Sequence, residues 1–255
     1  MNNPLNRLGP FTPLVGVAVL LLVWQCAYWV EVVDRVLLPS PFAMFVAVWQ
    51  GMVGGDLLFD FLKTIERTAL SILYAGIIGI PLGIVLGSSV ALYRSVEFVV
   101  DFFRSTPASA VFPLFLAISG PGDATKIQVA TFGASLVILF NVAYGVMNAR
   151  KTRPQAAQVM GASKLRVLTD VMLFESLPQT FVGLRNGVSL ALVIVIVAEM
   201  FIGSVDGLGH NVLDNQMLFE MPRMYAVIFV AGALGYGFNL MFLLIERRYV
   251  HWSGR

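Results

Sequence analysis

The chain has 255 residues, 58% of them hydrophobic and 13% charged, with a formal net charge of +2 and a mean hydropathy of +0.81. A soluble domain carries about 25% charged residues, so this composition excludes an ordinary soluble fold and points to an integral membrane protein. It also excludes nucleic-acid binding, because no basic face with interleaved aromatics stands outside the apolar runs.

A spanning helix takes about 20 apolar residues, which leaves room for five or six spans and no separate soluble domain. Residues 13–30 form the first charge-free run. Arg7 precedes it, as in a signal peptide. The run nonetheless outlasts a signal sequence's apolar stretch, and QCAYWV offers no small-x-small cleavage site. Trp24, Tyr28 and Trp29 fit an aromatic belt at the end of a retained span. Cys26 lies inside this run as a packing residue, with no disulfide partner and no metal-ligand company. LLPSP then makes a loop, Pro41 opens a short interfacial helix carrying Phe42, Phe45, Val46 and Trp49, and residues 51–55 end it. A charged lead-in over residues 56–67 follows.

Residues 68–93 make the second span. Gly79, Gly83 and Gly87 fall on one face, where small residues let two helix backbones approach, and Pro81 is expected to kink it. Residues 94–104 read as a charged link. The third span, 102–119, contains Pro107 and Pro113 and is expected to be irregular, and GPGD closes it with a turn. The fourth span covers 127–149, the fifth 181–202 and the sixth 224–245. The expected fold is thus an all-α membrane protein of six transmembrane helices in one domain, 1–255.

Six spans put both termini on one side. With the termini in the cytoplasm, twelve of the 17 Lys and Arg residues lie inside, and basic excess marks the cytoplasmic face. That places the long polar stretch 150–180 in the cytoplasm. Within it, Pro154 starts a helix through QAAQVM, Gly161 breaks it, and Ser163 caps a second helix whose apolar side is Leu165, Val167, Leu168, Val171 and Met172. A helix–turn–helix flanked so closely by spans cannot enter a major groove. It fits either a docking surface for a partner or a loop that covers helix ends.

QAAQVMGASKLRVLTDVML resembles the EAA loop of permease subunits in binding-protein-dependent ABC importers. Ala156, Ala157, Gly161, Val171 and Leu173 fall on that pattern, while Gln155 replaces its acidic residue and Phe174 stands where its proline would be. LPSP near residue 40, STPASAVFPLFLAISGPGDATKI, GLRNGVSLAL, AEM at 198–200 followed by GLG, and the terminal ERR extend the resemblance to most of the chain. They resemble the subgroup serving nitrate, sulfonate, taurine and bicarbonate importers. The resemblance implies a type I importer permease in the bacterial inner membrane, paired with a second permease copy. It implies a cytoplasmic ATP-binding cassette ATPase under each copy and an extracytoplasmic solute-binding protein above. It also implies that residues 155–166 are a coupling element in the ATPase cleft, with Gln155, Ala156, Ala157, Met160, Gly161, Ala162, Ser163 and Leu165 as contact residues. The implied cargo is a small anion, with a vitamin precursor as the alternative.

No GxxxxGK[ST] loop occurs, so ATP hydrolysis is expected to belong to a partner, and this chain is expected to be a transport subunit without cofactor or metal. An intramembrane serine protease is excluded because His210 and His251 cannot reach Ser135. An autonomous secondary transporter would want ionisable relays or related halves at mid-membrane, and the central spans supply neither. Three residues stand out as candidates for the translocation path or a gate. Glu199 is the charge set deepest in a span; its other reading is an outer-interface carboxylate hydrogen-bonded to the GLG loop. Arg185 either snorkels to the inner surface or lines the inner mouth. Asn141 either touches solute or bonds between helices.

Overall fold

A computed structural model describes residues 12–149 and 152–250; within them every regular element is helical. In chain order these are α1 (Thr12–Trp29), α2 (Pro41–Gly54), α3 (Asp56–Gly87), α4 (Val90–Ser105), a 3-10 turn (Ala108–Val111), α5 (Phe112–Ser119) and α6 (Asp123–Met147). They continue as α7 (Thr152–Val159), α8 (Lys164–Arg166), a π turn (Val167–Met172), α9 (Leu173–Phe201), α10 (Leu208–Met217) and α11 (Met221–Tyr249). Among the described residues four helices are long and apolar enough to cross a membrane: α3, α6, the continuous stretch Lys164–Phe201, and α11. A fifth candidate is the pair α4 and Ala108–Ser119, bent by 88°.

The helix limits differ from those expected wherever charge alone had drawn them. The lead-in 56–67 is not a separate segment but the first turns of α3, because its buried charge finds partners within the fold. The link at 94–104 is helix α4, which starts where Ser89 accepts a bond from Leu92 N at 3.4 Å. Arg94, Glu97, Asp101 and Arg104 lie on one of its faces, and Arg104 pairs with Asp101 at 3.1 Å. Between the fifth and sixth expected spans, α10 occupies the middle of residues 204–222. The short helix at Pro41 forms as its sequence dictates, with proline in the first turn, Ser40 as N-cap and Gly55 at φ +91° closing it.

The fold is organised around α6, held between α3 and α9. Gly79, Gly83 and Gly87 of α3 lie directly on the α6 backbone. A Cβ on them would stand 2.8 Å from Ser135 O, 2.7 Å from Leu139 O and 2.6 Å from Ala143 O. The contacts advance together along both helices, so α3 and α6 run parallel. On the other side Gly145 meets Gln179 while Gly133 meets Ile194, so α9 is antiparallel to α6. Ala75, Val129, Ala130, Ala134, Ile138, Val142, Val188, Ala191 and Val195 fill the seams. Parallel α3 and α6 oblige the chain between them to return over their whole shared length. From Arg67 to Gly87 that length is about 30 Å at 1.5 Å per residue, the thickness of a bilayer's hydrocarbon core.

Candidate functional sites: a buried ion knot and a polar foot

One end of this three-helix core is tied by charge. Arg67, 2% exposed, lies on α3 among Thr64, Thr68 and Ser71, all buried. Its Nη1 donates to Glu199 Oε1 at 2.7 Å and to the carbonyl of Asp206 at 3.1 Å. Its Nε and Nη2 donate to Asp123 Oδ1 at 3.0 and 2.6 Å, and Nη2 also donates to the Asp206 carboxylate. One guanidinium thereby joins α3, the first residue of α6, the last turn of α9 and the loop that follows it. Its planar fork of five donors makes this multiplicity available, and a lysine could not reproduce it.

Glu199, 1% exposed, is satisfied as fully. The Thr64 hydroxyl lies 3.0 Å from both its oxygens, and Gly209 N donates to Oε2 at 2.9 Å. The loop is pinned further by Gly207 N to Asp60 Oδ1 at 2.7 Å and Leu208 N to Thr64 Oγ1 at 2.9 Å. Gly207 has φ +104°, and a Cβ there would strike the Glu199 carboxylate and Arg67, so only glycine fits. Lys126 adds a second cation, 3.2 Å from Asp123 Oδ1 and 2.8 Å from Ser204 Oγ. Buried charges are tolerable in this way, paired and with their remaining hydrogen-bonding capacity used.

Glu199 therefore sits as the carboxylate that orients the GLG loop. Arg67 was missed, having been counted with the charges of the lead-in. One signal was available: Thr64, Thr68 and Ser71 continue the stripe of Gly79, Gly83 and Gly87 at helical spacing, which places Arg67 beside a buried face. The other two candidates also find partners within the chain. Asn141 donates to Val137 O of its own helix at 2.8 Å and packs on Gly183. Arg185 faces Glu246 of the terminal ERR at 3.5 Å.

The opposite end carries the foot. α7 closes in a Schellman motif, with Ala162 N to Ala157 O and Gly161 N to Gln158 O, both at 3.0 Å, and Gly161 at φ +86°. Ser163 then accepts from Arg166 N at 3.3 Å and starts the next helical stretch. That stretch does not end before the following span. It runs on through the π turn into α9 as one body of 38 residues. Arg153 pairs with Glu175 across the bend, and Ala157 and Val167 are buried between the two arms. Gln155, Ala156, Gly161 and Ser163 are exposed, with Ala162 half-buried, and Ala156 and Met160 line a shallow groove against Val171 and Phe174 of the other arm. Leu165, on the apolar side of its helix and among the expected contact residues, is 70% exposed, and it joins Val159 at 89% and Met160 at 81%. Three large apolar side chains thus stand in the open beside the bend. Among the described residues no cluster of His, Cys, Asp or Glu could hold a metal ion.

The family model for the binding-protein-dependent transport system inner membrane component matches residues 79–251. The chain belongs to that family. As an inner-membrane transport component it is similar over nearly its whole length to curated permeases. It is 28% identical to the taurine transport system permease protein of Escherichia coli (strain K12), over 98% of this chain and 92% of that one. It is 25% identical to the putative aliphatic sulfonates transport permease protein of Bacillus subtilis (strain 168), over 97% and 89%. It is 28% identical to the nitrate import permease protein of Synechocystis sp., over 88% and 83%. Its fold is similar to a chain of the inward-facing MetNI methionine ABC transporter, with a TM-score of 0.70 at 22% identity, covering 77% of this chain and 97% of that one.

Proposed function

We propose that this family member is the membrane-spanning subunit of an ATP-driven importer for a small anion of the taurine, sulfonate, nitrate or bicarbonate type. It crosses the membrane six times, with α1, α3, the bent α4–α5 pair, α6, α9 and α11 as the crossings and both ends of the chain in the cytoplasm. The parallel run of α3 and α6 supports that count, since the bent pair has to recross between them. Two copies enclose the path, a solute-binding protein meets the end with the ion knot, and an ATPase subunit grips the foot of each copy. In this reading Glu199 belongs to an outer gate, holding the GLG loop to α3. Arg185 with Glu246 lies toward the inner mouth, and Asn141 sets the spacing of α6 and α9 beside the path.

The observation that carries the reading is the exposed apolar trio Val159, Met160 and Leu165 on a bend that continues without a break in the helix into α9. Gln155, Ala156, Ala157, Gly161, Ala162 and Ser163 shape that bend for insertion into an ATPase cleft. Closure of two ATPases then moves the bends together, and α9 carries the motion toward Glu199. Phosphate chemistry supplies the energy, and this chain supplies the path and the lever. Co-purification with an ATP-binding cassette subunit, followed by solute uptake in proteoliposomes holding the binding protein, tests it. Uptake by this chain alone, without ATP, would replace the reading with a secondary transporter.

A further inference from the structure

The strongest unexplained feature is the break between α4 and α5. Around residues 105–111 the backbone leaves the α-helix and turns by 88°. Its depth follows from its neighbours. Ala108 lies against Gly133 of α6, where an added Cβ would come 3.3 Å from Ala108 Cβ, and Gly133 is ten residues from Asp123 in the knot. At 1.5 Å per residue the break lies about 15 Å below the knot, halfway through a 30 Å apolar slab. Irregular backbone at that depth is tolerated only where protein buries it or water reaches it, because lipid satisfies no amide or carbonyl. Within the chain the break is not buried: Ser105, Pro107, Ser109 and Ala110 are exposed.

The neighbouring strip of α9 repeats the pattern. Leu190 lines the cleft of about 230 Å³ that reaches Arg104, Thr106, Pro107 and Ala108. Beside Leu190, Asn186 and Ser189 stand exposed on the same helix. Ser189 is ten residues from Glu199, at the same depth as the break. One turn before the break, Arg104 holds its guanidinium over the Phe140 ring at 4.6 Å, with nearly half its side chain exposed. The Ser109 hydroxyl, the Asn186 amide and the Arg104 guanidinium are donors suited to an oxyanion; Arg104 is shared with Asp101 at 3.1 Å, and the Ser189 hydroxyl donates to Arg185 O at 3.2 Å.

We propose that the break at residues 105–111, together with Asn186 and Ser189, lines the water-filled path at mid-membrane and forms the contact for a small oxyanion-bearing solute, with Arg104 as its inner attractor. This rests on the importer reading above and assigns the path to side chains other than Glu199, Arg185 and Asn141.

Cysteine accessibility in the assembled transporter tests it. In a Cys26→Ser background, Ser109→Cys and Ser189→Cys are compared with Ile78→Cys, which stands exposed on α3 at a similar depth. The probe is a charged, water-soluble methanethiosulfonate, applied with and without ATP and vanadate. It reacts with the thiolate, and one unit of thiol pKa changes the thiolate fraction about tenfold. Both serine positions are expected to react at least that much faster than Ile78→Cys in one of the two nucleotide states, and to lose uptake once modified. Rates equal to Ile78→Cys in both states place the break in lipid and overturn the proposal. Crosslinking of Ser109→Cys between two copies, with no reaction toward the probe at either serine position in either state, overturns it as well, by burying the break in a dry permease contact. The importer reading survives either result provided that the ATPase co-purifies; if it does not, both fall together.

Discussion

The two ends of α9 solve opposite problems. At Glu199 the charged groups are paired: one arginine reaches three carboxylates and a carbonyl, and the loop beyond is fixed by backbone amides, while the buried Thr68 hydroxyl beside Arg67 is left without a partner. At the other end three large apolar side chains have nothing to cover them, and the bend is held by a Schellman turn and one ion pair. Polar groups hidden from solvent and apolar groups shown to it mark the two ends as different kinds of surface. The first is complete within this chain, whereas the second leaves its apolar side chains uncovered, as the proposed ATPase contact requires.

The largest effect is expected from breaking the complete end. Arg67→Met leaves Glu199 and two aspartates without their shared cation, and removing one partner of a buried pair costs about 3–5 kcal/mol. Denaturant unfolding of the detergent-purified chain should show that loss, and adding Glu199→Gln should recover part of it by removing one stranded charge. Unchanged stability in the single variant would mean that the knot does not hold these helices.

Next come the glycines that join the two ends. Gly83→Ala places a Cβ 2.7 Å from Leu139 O, so α3 and α6 must separate, at about 1–3 kcal/mol for overpacking. Gly232→Ala, on α11 with no atom within 4 Å of the added Cβ, provides the neutral comparison by the same unfolding measurement.

These sites also mark what the sequence could disclose. The glycine stripe was readable because period and residue size together demand a close neighbour, and the bend of the foot because proline, glycine and serine each have one preferred place in a helix start or stop. Arg67 was hidden because charge was read as a boundary, whereas three carboxylates from distant parts of the chain let α3 absorb it. Asp123, Asp206 and Glu199 are 56, 139 and 132 residues away from it, and no local pattern carries that pairing. Leu165 could be assigned to one side of its helix by period, but period does not tell which side the fold leaves bare, and here that residue is 70% exposed.

A smaller change in stability, with a larger change in function, is expected at the bend. Gly161→Asp forces a side chain into the left-handed region, at roughly 1 kcal/mol, while its Cβ meets nothing within 4 Å. Insertion and folding should persist and ATP-driven uptake should fall to background. Gly161→Asn tolerates the same φ without adding charge, so retained uptake in that variant would assign the loss to the carboxylate rather than to strain. Normal uptake by Gly161→Asp at normal expression would sink the coupling role of the foot.

The slightest structural effect belongs to Met160→Ser combined with Leu165→Ser. Both side chains are already mostly exposed, so the isolated chain has little burial to lose and its unfolding should not move. In the proposed complex with the ATPase they would be buried, and a fully buried apolar side chain contributes about 1.5–3 kcal/mol. ATPase binding should then weaken by roughly tenfold or more, since each 1.4 kcal/mol is a factor of ten. Titration of the purified ATPase against both forms of the permease measures this directly. Equal affinity would leave the apolar trio without a partner at this end, and the contrast with the self-contained knot would have to be drawn elsewhere on the foot.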